Sequence, residues 1–266
     1  MGDKAMSARY QTSSQLKNAA KDKLTGKYGS AVLVTFLSSL ISFAVSFLVS
    51  NIASMTETAV YAMTQQTAAV TVLSVVFFLL SLVISIVLGV FELGLSLFFL
   101  NAACGQPFSA ADLFYGFQRQ SNKALGVSAV FTLLNTVCLT PSQLFLELFL
   151  NTQNSAWSTG ALISLGIGLT IYIPLSLSLS QTFYLMLDFP DRSARDSLKL
   201  SIRLMKGHKR RLFYIQMSFL PLILLCLLSF GIGFLWLMPY MYMTSTAFFL
   251  DLMSSPEKTE KFPTAP

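Results

Sequence analysis

Long uncharged apolar runs alternate with short polar or charged segments along this chain. The longest run, Leu212 to Leu250, holds 39 residues without one charged side chain. About 20 apolar residues cross a bilayer as a helix, so a run of that length predicts two crossings. The same reading predicts four more upstream, giving spans at about 30–53, 68–91, 125–145, 161–187, 212–230 and 234–252. Paired in order, they make three helical hairpins. The predicted fold is all-α: a polytopic membrane protein with six transmembrane helices, occupying 30–253 as one domain.

The segments between the runs carry a second pattern. Thr12 to Gly26 reads as a short helix capped by Ser13 or Ser14. Leu16, Ala19, Ala20 and Leu24 recur at helical spacing, with Lys17 and Lys21 toward the other side. Gly26 ends it by taking a left-handed conformation. Ala110 to Phe117 and Ser193 to Lys206 are expected to be interfacial as well. In the latter, Ala194, Leu198, Ile202 and Met205 share a face beside a basic stripe, Arg195, Lys199, Arg203 and Lys206, while Leu200 and Leu204 fall outside both. These segments are expected to lie as amphipathic helices on the cytoplasmic membrane surface. Polar stretches at 54–67 and 151–160 read as far-side loops. Residues 1–29 read as a cytoplasmic tail, mobile over 1–11, plus an interfacial helix, and 254–266 as a disordered tail. Apolar character continues past Phe91 to Ala103, too far for one perpendicular crossing, so that helix tilts or its end bends along the interface. Pro141 predicts a bend in the third span or its end, and Pro174 a kink in the fourth.

Charge orients the hairpins. Of the 18 Lys and Arg, six precede Ser30, two lie in 101–123, eight in 188–211 and two in the tail, and the opposite loops hold none. Positive segments stay cytoplasmic, which places both termini on that side. Only 11% of residues are charged, against about 25% in soluble domains. The net charge of +6 sits in segments at membrane edges, so anionic lipid headgroups, rather than nucleic acid, are the expected partner. Cys104, Cys138 and Cys226 have no paired spacing and imply neither a disulfide framework nor a metal site. The first apolar run begins after 29 residues and is too long for a signal core, so no cleavable signal peptide is expected.

Candidate chemistry is sparse. No His-Glu-x-x-His and no Gly-x-x-x-x-Gly-Lys loop occurs, and the single histidine, His208, stands in the basic segment. No catalytic, metal-binding or cofactor-binding residue is assigned, and the protein is expected not to be an enzyme. Ionisable residues inside a bilayer are costly and therefore functional candidates. Glu92 is the one flanked by apolar residues on both sides. If buried, it would take Arg or Lys as its partner and serve as a proton or cation site. Ser38, Ser42, Ser46 and Ser50, then Ser128, Thr132, Thr136 and Thr140, form four-residue ladders, with Ser81, Ser85 and Gly89 and Ser164, Gly168, Ser176 and Ser180 as further small-residue ridges. Small ridges pack helices closely in lipid; the competing reading is a polar lining for a solute path.

In the carboxy-terminal half, several motifs stand together. They are Asp188-x-Pro190, Ser201-x-x-Leu204-Met205-Lys206-Gly207-His208-Lys209, Phe213, Ser218-Phe219, Gly231-Ile232-Gly233, Trp236, Pro239-Tyr240 and Ala247-Phe248. Together they resemble a family of bacterial integral membrane proteins known as domain of unknown function 975. Leu16-Lys17-x-x-Ala20-Lys21-x-x-Leu24-x-Gly26 and Leu113-Phe114-x-Gly116-Phe117 are similar to its earlier signatures. Ile173-Pro174-Leu175 departs from the Ile-Pro-Gly expected there, so a hinge is not implied. The resemblance implies a multi-pass protein of a bacterial plasma membrane and supplies no reaction.

Two functions are compatible with these residues. One is a non-enzymatic accessory or scaffold protein that engages anionic lipid or a membrane protein partner. Its headgroup contacts would be Arg195, Lys199, Arg203, Lys206, Lys209, Arg210 and Arg211. The alternative is a small transporter or lipid-handling protein with a cavity between the hairpins. A cavity lined by Ser and Thr together with Glu92 favours the alternative; a bundle packed shut along the ridges favours the scaffold.

Overall fold

Thr12, rather than Ser13 or Ser14, caps the first helix. In the computed structural model, which describes residues 10–254, the Thr12 hydroxyl accepts from the Gln15 amide while the Gln15 side chain accepts from the Thr12 N–H. This reciprocal cap opens α1 (Ser13–Leu24). Leu16, Ala20 and Leu24 are fully buried. They pack within the bundle, so the apolar face of α1 is covered by protein and not by lipid.

The first apolar run does not stop at Ala53. Helix α2 continues over Tyr28–Thr64 and reverses at Gln65, which takes φ 53°, into α3 (Thr67–Leu88). The stretch read as a loop is helical because it contains no Gly or Pro. Its Thr56, Thr58 and Thr64 hydroxyls bond to carbonyls four residues back instead of opening a turn. After a break at Gly89–Val90 the chain resumes as α4 (Phe91–Cys104). This helix does not bend along an interface: Phe91, Leu95, Phe98, Phe99 and Ala102 are buried in the core. A 3-10 turn (Ala110–Phe114) and α5 (Tyr115–Gln118) follow. A second long hairpin joins α6 (Ser121–Thr152) to α7 (Ser155–Leu179) through Gln153 at φ 54°, so the expected 151–160 loop shrinks to a turn. Pro141 and Pro174 lie inside these helices without ending them. The chain breaks again at Ser180–Gln181 before α8 (Thr182–Asp188). Then come α9 (Ala194–Leu204), α10 (Lys209–Met217), α11 (Leu220–Leu228) and α12 (Phe234–Ser254). Residues 1–9 and 255–266, most of the two expected tails, lie outside the described residues.

Five helical stretches are long and apolar enough to cross a membrane: Tyr28–Thr64, Thr67–Cys104, Ser121–Thr152, Ser155–Asp188 and Lys209–Leu228. This is the build of a membrane protein. Helix α12 is not among them, because Tyr240, Tyr242, Thr244, Thr246 and Asp251 dilute its apolarity. It lies instead at the centre, packed against α1, α2 and α4. The outer halves of the long hairpins expose Phe43, Leu48, Leu79, Val137 and Leu162, the side chains a lipid environment would cover. Ser46, Ser50, Ser81 and Ser85 are exposed there as well, so those ridges do not pack helices at their outer ends. Where helices do touch closely, glycine permits it. A Cβ at Gly94 would collide with the Leu113 carbonyl of the 3-10 turn, and one at Gly168 with the Cys138 carbonyl of α6.

Cationic and hydroxyl side chains tie down the helix ends at the basic end of the bundle. The last carbonyls of a helix lack intrahelical donors, and a lysine nearby also complements the dipole. Lys23 and Lys27 donate to Ala103 and Ala102 at the end of α4, at 3.0 and 2.7 Å. Lys17 donates to Ser218, just after α10, at 3.1 Å and stands 4.1 Å over the Phe219 ring. Burial, then the charge of Lys21, lowers the Lys17 ammonium below the usual lysine range. Lys123 donates to Pro190 at 2.5 Å. At the α7–α8 break, the Ser201 hydroxyl donates to the Ser178 carbonyl at 2.8 Å and accepts from the Gln181 N–H at 3.3 Å. Helix α9 therefore buries Ser197, Leu200, Ser201 and Leu204 and leaves Ile202 exposed. The two leucines that fall outside the expected faces make the contact, because small serines let α9 reach the broken backbone.

Candidate solute cavity between the hairpins

Three interruptions in the helices converge on one cavity. It measures about 420 Å³, and Gly89 from the α3–α4 break, Ser180 from the α7–α8 break and Gln216 next to the α10–α11 break all line it. Thr132 and Ser176 contribute hydroxyls, and Phe131, Tyr172 and Phe183 aromatic walls. The α6 ladder thus lines the cavity at Ser128 and Thr132, and the α7 ridge does so at Ser176 and Ser180, while Gly168 packs against α6.

Glu92 is the ionisable group of this cavity. The break at Gly89–Val90 starts α4 so that Glu92 falls in its first turn, where the helix dipole favours a carboxylate. Glu92 lies eleven residues before Ala103, about 16 Å along the helix at about 1.5 Å per residue, so it stands well inside from the lysine-capped end. Its carboxylate is exposed and lines the cavity, within reach of a small molecule. The partner is not the expected Lys or Arg. Tyr242 of α12 donates its hydroxyl to both carboxylate oxygens, at 3.0 and 3.2 Å. Among the described residues no cation pairs with Glu92.

Aromatic packing fixes that phenol. The Tyr242 ring stacks on Phe99 at 5.3 Å and 8°. One turn along α12, Thr246 hydrogen-bonds Tyr184 at 3.0 Å, and Tyr184 stacks on Phe249 at 5.1 Å. Ser128 lines the same cavity, and its hydroxyl oxygen is buried with no hydrogen-bond partner among the described residues. A buried hydroxyl left so is destabilising by about 1–3 kcal/mol unless a ligand or water completes it. Sequence reasoning missed Tyr242, Tyr184 and Gln216. The available signal was a set of phenols inside apolar runs, which need polar partners when buried.

The basic residues lie elsewhere. Arg195, Lys199, Arg203, Lys206 and Arg210 are exposed and Lys209 is half-buried. None of them lines the cavity. At the head of α9 the Ser193 hydroxyl holds the Asp196 carboxyl below the usual carboxylate range. Arg211 turns inward. It donates to the Gln11 carbonyl, pairs with the buried Asp251 and stands 5.2 and 5.0 Å over the Tyr10 and Phe248 rings. Gln11 N–H also reaches Asp251, at 3.3 Å, so the chain before α1 is pinned to the end of α12.

A family model described as protein of unknown function (DUF975) matches residues 6–255. No curated protein and no solved structure matches the chain.

Proposed function

The chain belongs to the DUF975 family of proteins of unknown function, and from that premise we propose that it is a non-enzymatic transporter or lipid-handling protein working at the cavity around Glu92. The convergence of three helix breaks on that cavity carries the reading. Inside a bilayer, irregular backbone is tolerated where it is buried in protein or lines a polar cavity, and transporters build their sites from such broken helices. The carboxyl group of Glu92 and the Ser and Thr lining support the same reading. In this proposal the protein is a six-span plasma-membrane protein of three hairpins, with both termini cytoplasmic by the positive-inside rule. In reconstituted liposomes, solute or lipid-probe flux should exceed that of empty vesicles and fall at least tenfold in Glu92→Gln. Flux equal to empty vesicles across cationic, neutral and lipid probes defeats the proposal.

The exposed stripe on α9 supports a second, compatible role as a cytoplasmic anchor on anionic lipid. Each Lys or Arg near such a surface contributes about 1 kcal/mol before screening. A peptide covering 193–211 should bind vesicles containing anionic lipid, and substituting Arg195, Lys199 and Arg203 by Gln should weaken that binding more than tenfold. Unchanged binding removes the anchor.

A further inference from the structure

Resting on the cavity reading, we infer that the molecule bound beside Glu92 is an organic ammonium: a protonated primary or secondary amine carrying an apolar or aromatic body. Four observations define that chemistry. The first is charge. A carboxyl group at the cavity with one phenol as donor, and no cationic partner among the described residues, has no counter-ion of its own when ionised. A charge in a low-dielectric setting is stable when paired, so the complement of an ionised Glu92 is positive.

The second is size. A cavity of about 420 Å³ falls within the range of sites for organic molecules, about 300–1,000 Å³. A bare metal ion would be held by several converging oxygen or nitrogen ligands at about 2.0–2.6 Å. Among the described residues no group of three His, Cys, Asp or Glu side chains could hold one.

The third is the wall. Phe131 and Phe183, with ring centroids 5.7 Å apart and 16° between planes, border the cavity together with Tyr172. Aromatic faces attract cations and cover apolar carbon, which suits an amine with a hydrocarbon body better than a hydrated inorganic ion. The fourth is Ser128. Ser128 lines the cavity, and its buried hydroxyl oxygen lacks a partner among the described residues. An ammonium N–H donated there while a second is donated to Glu92 would satisfy both. A quaternary ammonium has no N–H, so it matches the charge and the rings but leaves Ser128 unsatisfied.

The test uses the full chain in nanodiscs and four compounds: 2-phenylethylamine, its neutral counterpart 2-phenylethanol and the anion 3-phenylpropanoate, all of nearly one shape, and the quaternary phenyltrimethylammonium. Equilibrium dialysis with radiolabelled 2-phenylethylamine should give saturable binding. Unlabelled amine should displace it, and neither the alcohol nor the anion should. Glu92→Gln, whose amide oxygen still accepts from Tyr242 and so keeps the fold, should bind at least tenfold more weakly. Ser128→Ala should weaken the amine several-fold while leaving phenyltrimethylammonium unchanged. Glu147→Gln, outside the cavity, should bind as the parent protein does. Equal displacement by 2-phenylethanol, or parental affinity in a folded Glu92→Gln protein, overturns the assignment. Its fate is separable from that of the transport reading. Amine binding without flux of any probe removes transport and keeps the site; flux of neutral or lipid probes without amine binding removes the site and keeps transport.

Discussion

Gly94→Ala is expected to leave little folded protein in the membrane. The added Cβ would meet the Leu113 carbonyl oxygen and carbon and the Asp112 carbonyl oxygen, all backbone atoms with no rotamer to escape into. Overpacking a close contact costs about 1–3 kcal/mol and more where the neighbour cannot move, so the loss should exceed about 3 kcal/mol. Gly166→Ala is the matched control, since nothing lies within 4 Å of its Cβ position. At an open helical site, alanine is favoured over glycine by up to about 1 kcal/mol. Thermal aggregation of the two variants in detergent should therefore shift in opposite directions. Parental behaviour of Gly94→Ala would mean that α4 and the 3-10 turn do not cross as described.

Arg211→Met is expected to cost about 3 kcal/mol, the low end for breaking a buried pair by removing one partner. The substitution leaves the buried Asp251 carboxylate with only the Gln11 N–H, and it frees the Gln11 carbonyl. Asp251→Leu alone should cost a comparable amount by stranding the guanidinium. The double variant should recover much of the loss, because a hydrophobic pair of similar volume often replaces a buried ion pair at little net cost. A coupling energy above about 1.5 kcal/mol in that cycle is the expected signature. Additive losses in unfolding measurements on the four proteins would mean the two side chains do not act as a pair.

The apolar runs were legible because lipid-facing helices need carbon on nearly every side, and Phe43, Leu79 and Leu162 supply it. Glu92 was legible for the opposite reason, as a lone carboxylate in such a run. Its partner was not. Tyr242 lies 150 residues away and gives no local sign of which helix it faces. The helix breaks were hidden for a similar reason: Ser180–Gln181 carries no Gly or Pro, and the hydroxyl that satisfies its backbone comes from Ser201. Hydrophobic pattern also misjudged α9, since a buried face built partly from Ser197 and Ser201 looks polar in a sequence. Arg211 looked like a headgroup contact for want of any hint that Asp251, forty residues on, would meet it.

The docking of α1 has a consequence for how the protein is made. The residues it needs, Ser218 and Phe219 for Lys17 and the length of α12 for its apolar face, are translated about 200 residues after it. At elongation rates of about 5–20 residues per second, α1 emerges from the ribosome on the order of ten to forty seconds before its seat exists. In that interval Leu16, Ala20 and Leu24 need a temporary host, and the nascent chain cannot close until α12 arrives. Chains stopped short of α12 would display that unseated helix, a handle by which membrane quality control could tell an unfinished copy from a finished one.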